Sequence, residues 1–106
     1  MAKPKCYLIP ITDFYHKPGQ IRKELGKGND YIIAKNNKLF AWLCPVKEGE
    51  RVKGEILGLS EIRENRMDFV YTLMGGGSFT LTYHNKPVGY ITPRIPVDAV
   101  KRIVHK

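Results

Sequence analysis

Residues Asp30–Pro45 read DYIIAKNNKLFAWLCP, and residues Ser78–Pro93 read SFTLTYHNKPVGYITP. Each stretch contains two runs rich in β-branched and aromatic residues, joined by a short polar segment that contains Asn. Because Asn tolerates the positive φ of a tight turn, each stretch is predicted to form a β-hairpin. The stretches lie 48 positions apart, and with that offset residues 6–45 align with residues 54–93 without a gap.

The alignment shows that the chain is built from two similar units. Apolar residues meet apolar residues at Leu8/Ile56, Ile9/Leu57, Ile33/Leu81, Trp42/Tyr90 and Leu43/Ile91. A repeat of this length is typically one supersecondary unit that cannot bury its apolar face alone. About fifty residues is also close to the lower size limit for an independent core. We therefore expect residues 1–48 and 49–106 to pack as an intramolecular pseudo-dimer within one compact domain.

Each unit is predicted to run β-α-β-β, which makes the fold α+β. In the first unit a strand over residues 6–11 precedes a helix capped by Thr12, and Pro18 is expected to split that helix. In the second unit Ser60 is the expected cap of a helix over residues 61–74. Val46–Lys53 are interpreted as a charged linker, and Pro96–Lys106 as a terminal amphipathic helix with an apolar stripe of Val97, Val100, Ile103 and Val104.

The charge balance favours a polyanionic partner. Lys and Arg number 18 against 10 Asp and Glu, which gives a formal charge of +8 and a pI near 9.6. A small domain with this charge is suited to DNA, RNA or an acidic protein surface. The two cysteines, Cys6 and Cys44, lie in apolar runs and are predicted to be buried free thiols in a reducing compartment. With no export signal or membrane span in the pattern, the expected location is the cytoplasm.

No catalytic or metal-binding pattern stands out, so we expect no enzyme activity, no cofactor and no metal. The histidines His16, His84 and His105 are scattered, without Cys or acidic residues at ligand spacing. The triplet Gly75–Gly77 is not interpreted as a phosphate loop, because such a loop precedes a helix whereas these glycines are expected to follow one.

The second unit contains the pattern of a known family. Leu59-Ser-Glu-Ile-Arg63 is followed by Leu81-Thr-Tyr-His-Asn-Lys-Pro-Val-Gly-Tyr-Ile-Thr-Pro93, and the first unit has looser counterparts in Ile11–Tyr15 and Ile33–Lys38. These motifs resemble the DNA-binding domain of the prevent-host-death (Phd/YefM) antitoxins. The resemblance implies dimerisation through this domain and operator binding through the helix start and the hairpin, with a C-terminal tail that folds onto a toxin.

The resemblance, together with the basic residues of the helices, supplies a set of candidate DNA-binding residues. The basic position at the helix start is Arg63, with Tyr15 in its place in the first unit, and the basic position of the hairpin is Lys35, with Tyr83 in its place in the second unit. The predicted set is Arg63, Lys35, Arg66, Lys17, Arg22, Lys23, Tyr83 and His84.

The favoured function is therefore non-enzymatic binding of double-stranded DNA, by a small transcriptional regulator or antitoxin-like repressor. The alternative is a protein-interaction module that binds and inhibits a toxin, a nuclease or another host or phage factor. Basic residues concentrated on one face would favour DNA, whereas an exposed apolar patch with dispersed charge would favour a protein partner.

Overall fold

A computed structural model of the chain describes residues 4–46 and 54–104, and these form an α+β fold with one six-stranded mixed sheet. The strands are β1 (Cys6–Pro10), β2 (Asp30–Lys35), β3 (Lys38–Pro45), β4 (Glu55–Gly58), β5 (Phe79–Tyr83) and β6 (Lys86–Thr92). Their order across the sheet is β1-β2-β3-β6-β5-β4. The pairs β1/β2 and β4/β5 are parallel, and the other three pairs are antiparallel.

The helices of the described residues are α1 (Ile11–His16), α2 (Pro18–Gly26), α3 (Arg66–Met74) and α4 (Val97–Lys101), with a 3₁₀ helix at Leu59–Glu61. Pro18 separates α1 from α2 as predicted and occupies the first turn of α2, where its missing N–H costs no intrahelical bond.

The predicted caps are wrong in both units. The helix α1 begins at Ile11, one residue before Thr12, and no side chain caps it. Ser60 lies inside the 3₁₀ helix, and the expected helix over residues 61–74 starts as turns, because the regular α-helix begins only at Arg66.

The strand pairing of the two units is equivalent at the offset of 48 residues. Tyr7 pairs with Tyr31 and Glu55 with Phe79, and the hairpin ladders correspond in the same way. Both ladders carry an irregularity at the equivalent position, after Ile33 and after Leu81. Both turns have two consecutive residues with positive φ, Asn36-Asn37 and His84-Asn85, so the predicted hairpins are confirmed.

The main core contains side chains of both units on one face of the sheet. The helices contribute Ile11, Phe14, Ile21, Leu25, Leu59, Ile62, Phe69 and Leu73, and the strands contribute Tyr31, Ile33, Ala41, Leu43, Phe79, Leu81 and Ile91. The ring of Phe69 stacks on Phe14 of the other unit, with centroids 5.8 Å apart, and on Phe79 at 5.3 Å. The antiparallel contact between β3 and β6 joins the units at the pair Leu43/Ile91.

A smaller apolar cluster involves α4 and the first unit. Ala99 packs with Cys6 and Ile32, and Trp42, Ile95 and Ile103 border them. Cys6 is a buried thiol as predicted, whereas Cys44 is only half-buried and its thiol donates to the carbonyl oxygen of Tyr90 at 3.6 Å.

The terminal helix is shorter than predicted, and a different face of it is buried. It ends at Lys101, with Ala99 buried while Val97 and Val100 are exposed. Beyond it the backbone pairs with β1. The Cys6 N–H donates to the carbonyl oxygen of Arg102, and the Val104 N–H donates to the carbonyl oxygen of Cys6. These sheet-type bonds replace the helical bonds that the apolar spacing had indicated. His105, Lys106, the predicted linker after Val46 and the unit boundary after residue 48 lie outside the described residues.

Candidate nucleic-acid interface

Three of the predicted residues form one contact between the two units. Arg22 lies on the exposed side of α2, Tyr83 ends β5, and His84 begins the following turn. The guanidinium carbon of Arg22 lies 4.9 Å from the centre of the Tyr83 ring. The ring of His84 meets that of Tyr83 edge-on, with centroids 4.3 Å apart. Tyr83 stands at the position that Lys35 has in the first unit, and its ring contacts an arginine of the other unit.

This contact can present cations to a phosphate chain. A guanidinium stacked on an aromatic ring keeps its N–H groups in a fixed plane, from which they can donate to phosphate oxygens. His84 is exposed, and Lys86 faces Tyr83 across the hairpin and is also exposed. We refer to Arg22, Tyr83, His84 and Lys86 as the Arg22–Tyr83 cluster. Lys86 was not among the predicted residues, although its place beside the turn was visible in the sequence.

The equivalent surface of the other hairpin is also basic but is built differently. Lys35 takes the place of Tyr83, Val70 that of Arg22, and Lys38 that of Lys86. Lys35 is half-buried and Lys38 is exposed. β3 and β6 are antiparallel, and Leu43 pairs with Ile91. In this register Lys38 and Lys86 are offset from each other by ten residues along the strand direction. At roughly 3.3 Å per residue, and allowing for the irregularities, the two positions lie roughly 30 Å apart.

Arg63 and Arg66 do not join the Arg22–Tyr83 cluster. They lie at the start of α3, around an open depression lined by residues 63–68 that also contains Glu64 and Asp68. With Glu61, these two cations have three carboxylates close in sequence. Arg66 lies close enough to Tyr15 to oppose the rise that burial causes in the pKa of that phenol. This region is therefore mixed in charge.

The segment from Lys17 to Lys27, which contains α2, carries four exposed cations. Arg22 and Lys23 are exposed on α2, Lys17 is exposed directly before it, and Lys27 follows it. Only Asp13 and Glu24 oppose these cations within α1 and α2. Lys17 lies apart from the Arg22–Tyr83 cluster, at a cleft between α2 and β1. The structure thus distributes the eight predicted residues over several places rather than one.

α3 carries an exposed apolar stripe that was not predicted from the sequence. Met67, Tyr71 and Met74 are 66%, 64% and 66% exposed, respectively. Their spacing of four and three residues places them on one side of the helix. The equivalent positions of α2 are Gly19, Lys23 and Gly26. The spacing was readable in the sequence, but only the fold reveals that the core lies on the opposite side, at Phe69 and Leu73.

Metal-binding groups and membrane-spanning helices were both expected to be absent. Within residues 4–46 and 54–104, no three His, Cys, Asp or Glu side chains are grouped so that they could hold a metal ion. No helix in those ranges is long and apolar enough to cross a membrane.

Comparisons with protein-family models, with curated proteins and with solved structures gave no match to this chain.

Proposed function

We propose that this protein binds double-stranded DNA without enzymatic activity, as a small regulator or antitoxin-like repressor. The observation that supports this most directly is the stacking of Arg22 on Tyr83 at 4.9 Å, with His84 and Lys86 beside it. The rings restrict the position of the cation, and phosphate contacts of this kind orient a protein on the duplex. The formal charge of +8 adds a favourable, salt-dependent attraction.

We further propose that the chain is a tandem of two Phd/YefM-like units forming an intramolecular pseudo-dimer. Equivalent ladders, equivalent turns and a junction at Leu43/Ile91 support this assignment. When each residue is replaced by its equivalent 48 positions away, the pair Trp42/Thr92 becomes the pair Tyr90/Cys44, which the ladder also contains. A twofold relation between the units requires this correspondence. In this arrangement one chain supplies the contacts to both DNA half-sites, which a dimer would otherwise provide.

The two proposed contact regions are spaced suitably for one face of a duplex. Lys38 and Lys86 lie roughly 30 Å apart, close to the ~34 Å of one helical turn. The regions differ in chemistry, because Arg22, Tyr83 and His84 on one side correspond to Val70, Lys35 and Asn36 on the other. We therefore expect an asymmetric site and not a perfect palindrome.

The test is the affinity for a DNA duplex, measured by fluorescence anisotropy near physiological salt. We expect Arg22→Ala and Tyr83→Ala each to weaken binding, since one provides the cation and the other its platform. Arg94→Ala is a matched control, because it removes an exposed cation after β6 and outside the cluster. Equal affinity of wild type and both cluster variants would exclude this site, and the absence of duplex binding by the wild type would refute the proposed function.

A second candidate function, the binding of a protein such as a toxin or nuclease, is favoured by the stripe on α3. An exposed apolar patch of this kind frequently marks a protein contact. The triple change Met67→Ser/Tyr71→Ser/Met74→Ser would abolish such binding while leaving duplex affinity unchanged. Loss of DNA binding in this variant, with the fold retained, would instead assign α3 to the duplex.

A further inference from the structure

A cleft of about 630 Å³ opens between α2, β1 and the segment that follows α4. This volume lies within the range of ~300–1,000 Å³ typical of small-ligand sites. Its lining includes Tyr7 and Ile9 of β1, Ile21 and Glu24 of α2, Tyr31 of β2 and Val104 beyond α4. The lining combines aliphatic side chains with a few polar groups, which is the usual composition of a binding site.

Tyr31 presents a polar group to this cleft that the rest of the described chain does not use. Its side chain is only 4% exposed. Within residues 4–46 and 54–104, no hydrogen bond to its hydroxyl is formed. No polar side-chain atom that is fully buried lacks a partner in those ranges, so the Tyr31 hydroxyl oxygen retains some exposed surface. A hydroxyl group held in this way can donate to a ligand and accept from it.

Packing alone does not explain that hydroxyl. The equivalent residue of the other unit is Phe79, which is also 4% exposed and belongs to the same core. The same position is therefore filled by a phenyl ring in one unit and by a phenol in the other. The other polar groups differ as well, since Thr72 replaces Glu24 and Glu55 replaces Tyr7.

The cleft is also acidic in a basic protein. Among the described residues, the carboxylates of Asp13 and Glu24 line it against one cation, Lys17, in a chain with a formal charge of +8. Glu24 accepts from the Asn29 amide at 2.9 Å, and this bond is the main cause that lowers the pKa of its carboxyl group, with smaller effects of Lys27 and Tyr7. Its ion pair with Lys27, at 3.5 Å, involves a lysine that is 57% exposed and is weak for that reason.

We propose that this cleft binds an organic cation, an ammonium or guanidinium group carried on an apolar stem. The charged group donates to the Glu24 carboxylate and to the Tyr31 oxygen, and the face of Tyr7 adds a cation–π attraction. The stem packs on Ile9, Ile21 and Val104. This inference is independent of DNA binding, because Arg22, Tyr83 and His84 are not part of the cleft lining.

The backbone of β1 indicates how a peptide could supply such a cation. The N–H and C=O of Cys6 face the segment after α4, to which they are hydrogen-bonded. Because a strand alternates, the N–H and C=O of Leu8 face the same edge, and no hydrogen bond from residues 4–46 or 54–104 reaches them. An extended peptide paired there would bring a Lys or Arg side chain to the cleft. A free alkylamine is the other source of the same chemistry.

The test uses the full chain in calorimetric titrations with N-acetyl-lysine methylamide. N-acetyl-norleucine methylamide, which has the same stem without the ammonium group, is the neutral control ligand. We expect Glu24→Gln to weaken binding of the lysine amide about tenfold or more, since the lost bond is to a charged group. Tyr31→Phe should weaken binding of the lysine amide by roughly threefold to tenfold. The variant should still fold, because the other unit has a phenylalanine, Phe79, at the equivalent position. Glu55→Gln removes a carboxylate from the other unit and should leave the affinity unchanged.

Two further ligands distinguish the sources. Cadaverine that binds as tightly as the lysine amide indicates a free amine, and a blocked Val-Lys-Val tripeptide that binds more tightly than both indicates strand addition at Leu8. Equal binding of the lysine and norleucine amides, or an unchanged affinity of both Glu24→Gln and Tyr31→Phe, would overturn the proposal. So would the absence of saturable binding by every amine.

Discussion

Arg102 donates two parallel hydrogen bonds to the carboxylate of Asp30, from Nη1 to Oδ1 at 2.7 Å and from Nη2 to Oδ2 at 2.9 Å. The Trp42 indole donates to the same Oδ2 at 2.6 Å. Asp30 is 2% exposed, so these bonds replace its hydration. They connect the end of α4 to β2 and raise the pKa of the Arg102 guanidinium. The other unit has Ser78 at the position of Asp30 and Tyr90 at that of Trp42.

The pair should be important for stability in a way that a double variant reveals. We expect Arg102→Ala to lower the free energy of unfolding by about 3–5 kcal/mol, because it leaves a buried carboxylate without its charged partner. Asp30→Ser/Arg102→Ala should be less destabilised than the sum of the single changes, because no unpaired charge remains. Urea unfolding followed by Trp42 fluorescence gives the free energy of unfolding of Asp30→Ser, Arg102→Ala and the double variant, with Arg94→Ala as the surface control. Strict additivity would show that the two residues are not coupled.

Stability should fall at alkaline pH partly through Tyr31. Burial, with Glu24 and Tyr7, raises the pKa of its phenol from 10.0 to about 12. The folded state therefore retains the proton that the unfolded chain releases, so the stabilisation present below pH 10 is lost as the pH rises toward 12. Tyr31→Phe should show a shallower decline of the free energy of unfolding between these values. An identical pH profile in variant and wild type would contradict this assignment.

The Cys6 thiol should be unreactive. Burial, together with the Asp30 carboxylate, raises its pKa to about 12, so little thiolate exists near neutral pH. Cys44 is half-buried and should be alkylated first by iodoacetamide at pH 8. Arg102→Ala should accelerate labelling of Cys6, because it weakens the attachment of α4 and the segment after it. Mass spectrometry of timed samples distinguishes the two sites, and faster labelling of Cys6 than of Cys44 in the wild type would be the opposite result.

Gly89→Ala should be clearly destabilising. A Cβ atom at this position would lie 2.9 Å from Cδ1 of Leu25 and of Leu43, and both leucines belong to the core. Overpacking of this kind costs about 1–3 kcal/mol. Gly26→Ala is the matched control, because a Cβ there meets no atom within 4 Å and the residue lies in the last turn of α2. Thermal unfolding of the two variants should rank Gly26→Ala as the more stable, and the reverse order would be inconsistent with the packing.

Residues 1–48 alone should fail to form a stable monomer. Phe14 would lose its contact with Phe69, and β3 would lose its pairing with β6, which exposes Leu43. Circular dichroism and sedimentation of this fragment should therefore report an unfolded or self-associated chain. A folded monomer would show that the first unit is independent.

Local features of the fold could be predicted from the sequence, because they depend on neighbouring residues. The Asn36-Asn37 turn, the helix break at Pro18 and the end of α2 at Gly26, two residues before Gly28 with its φ of +88°, follow from dihedral preferences. The caps predicted at Thr12 and Ser60 were wrong, because α1 starts directly after Pro10 and Ser60 lies inside the 3₁₀ turn. The length of α4 was overestimated because the pairing of Ile103 with Cys6 competes with the helix.

The sequence by itself determined the repeat of 48 residues, both hairpins, the α+β class and the excess of positive charge. Only the tertiary structure decided that β3 pairs with β6, that α4 lies against the first unit, and that Arg22 meets Tyr83 while Arg63 and Arg66 remain apart from them. The same holds for the cleft beside Tyr31. The physical reason is that turns and helix breaks arise from local backbone energies, whereas contacts between distant residues depend on how the whole chain buries its apolar surface.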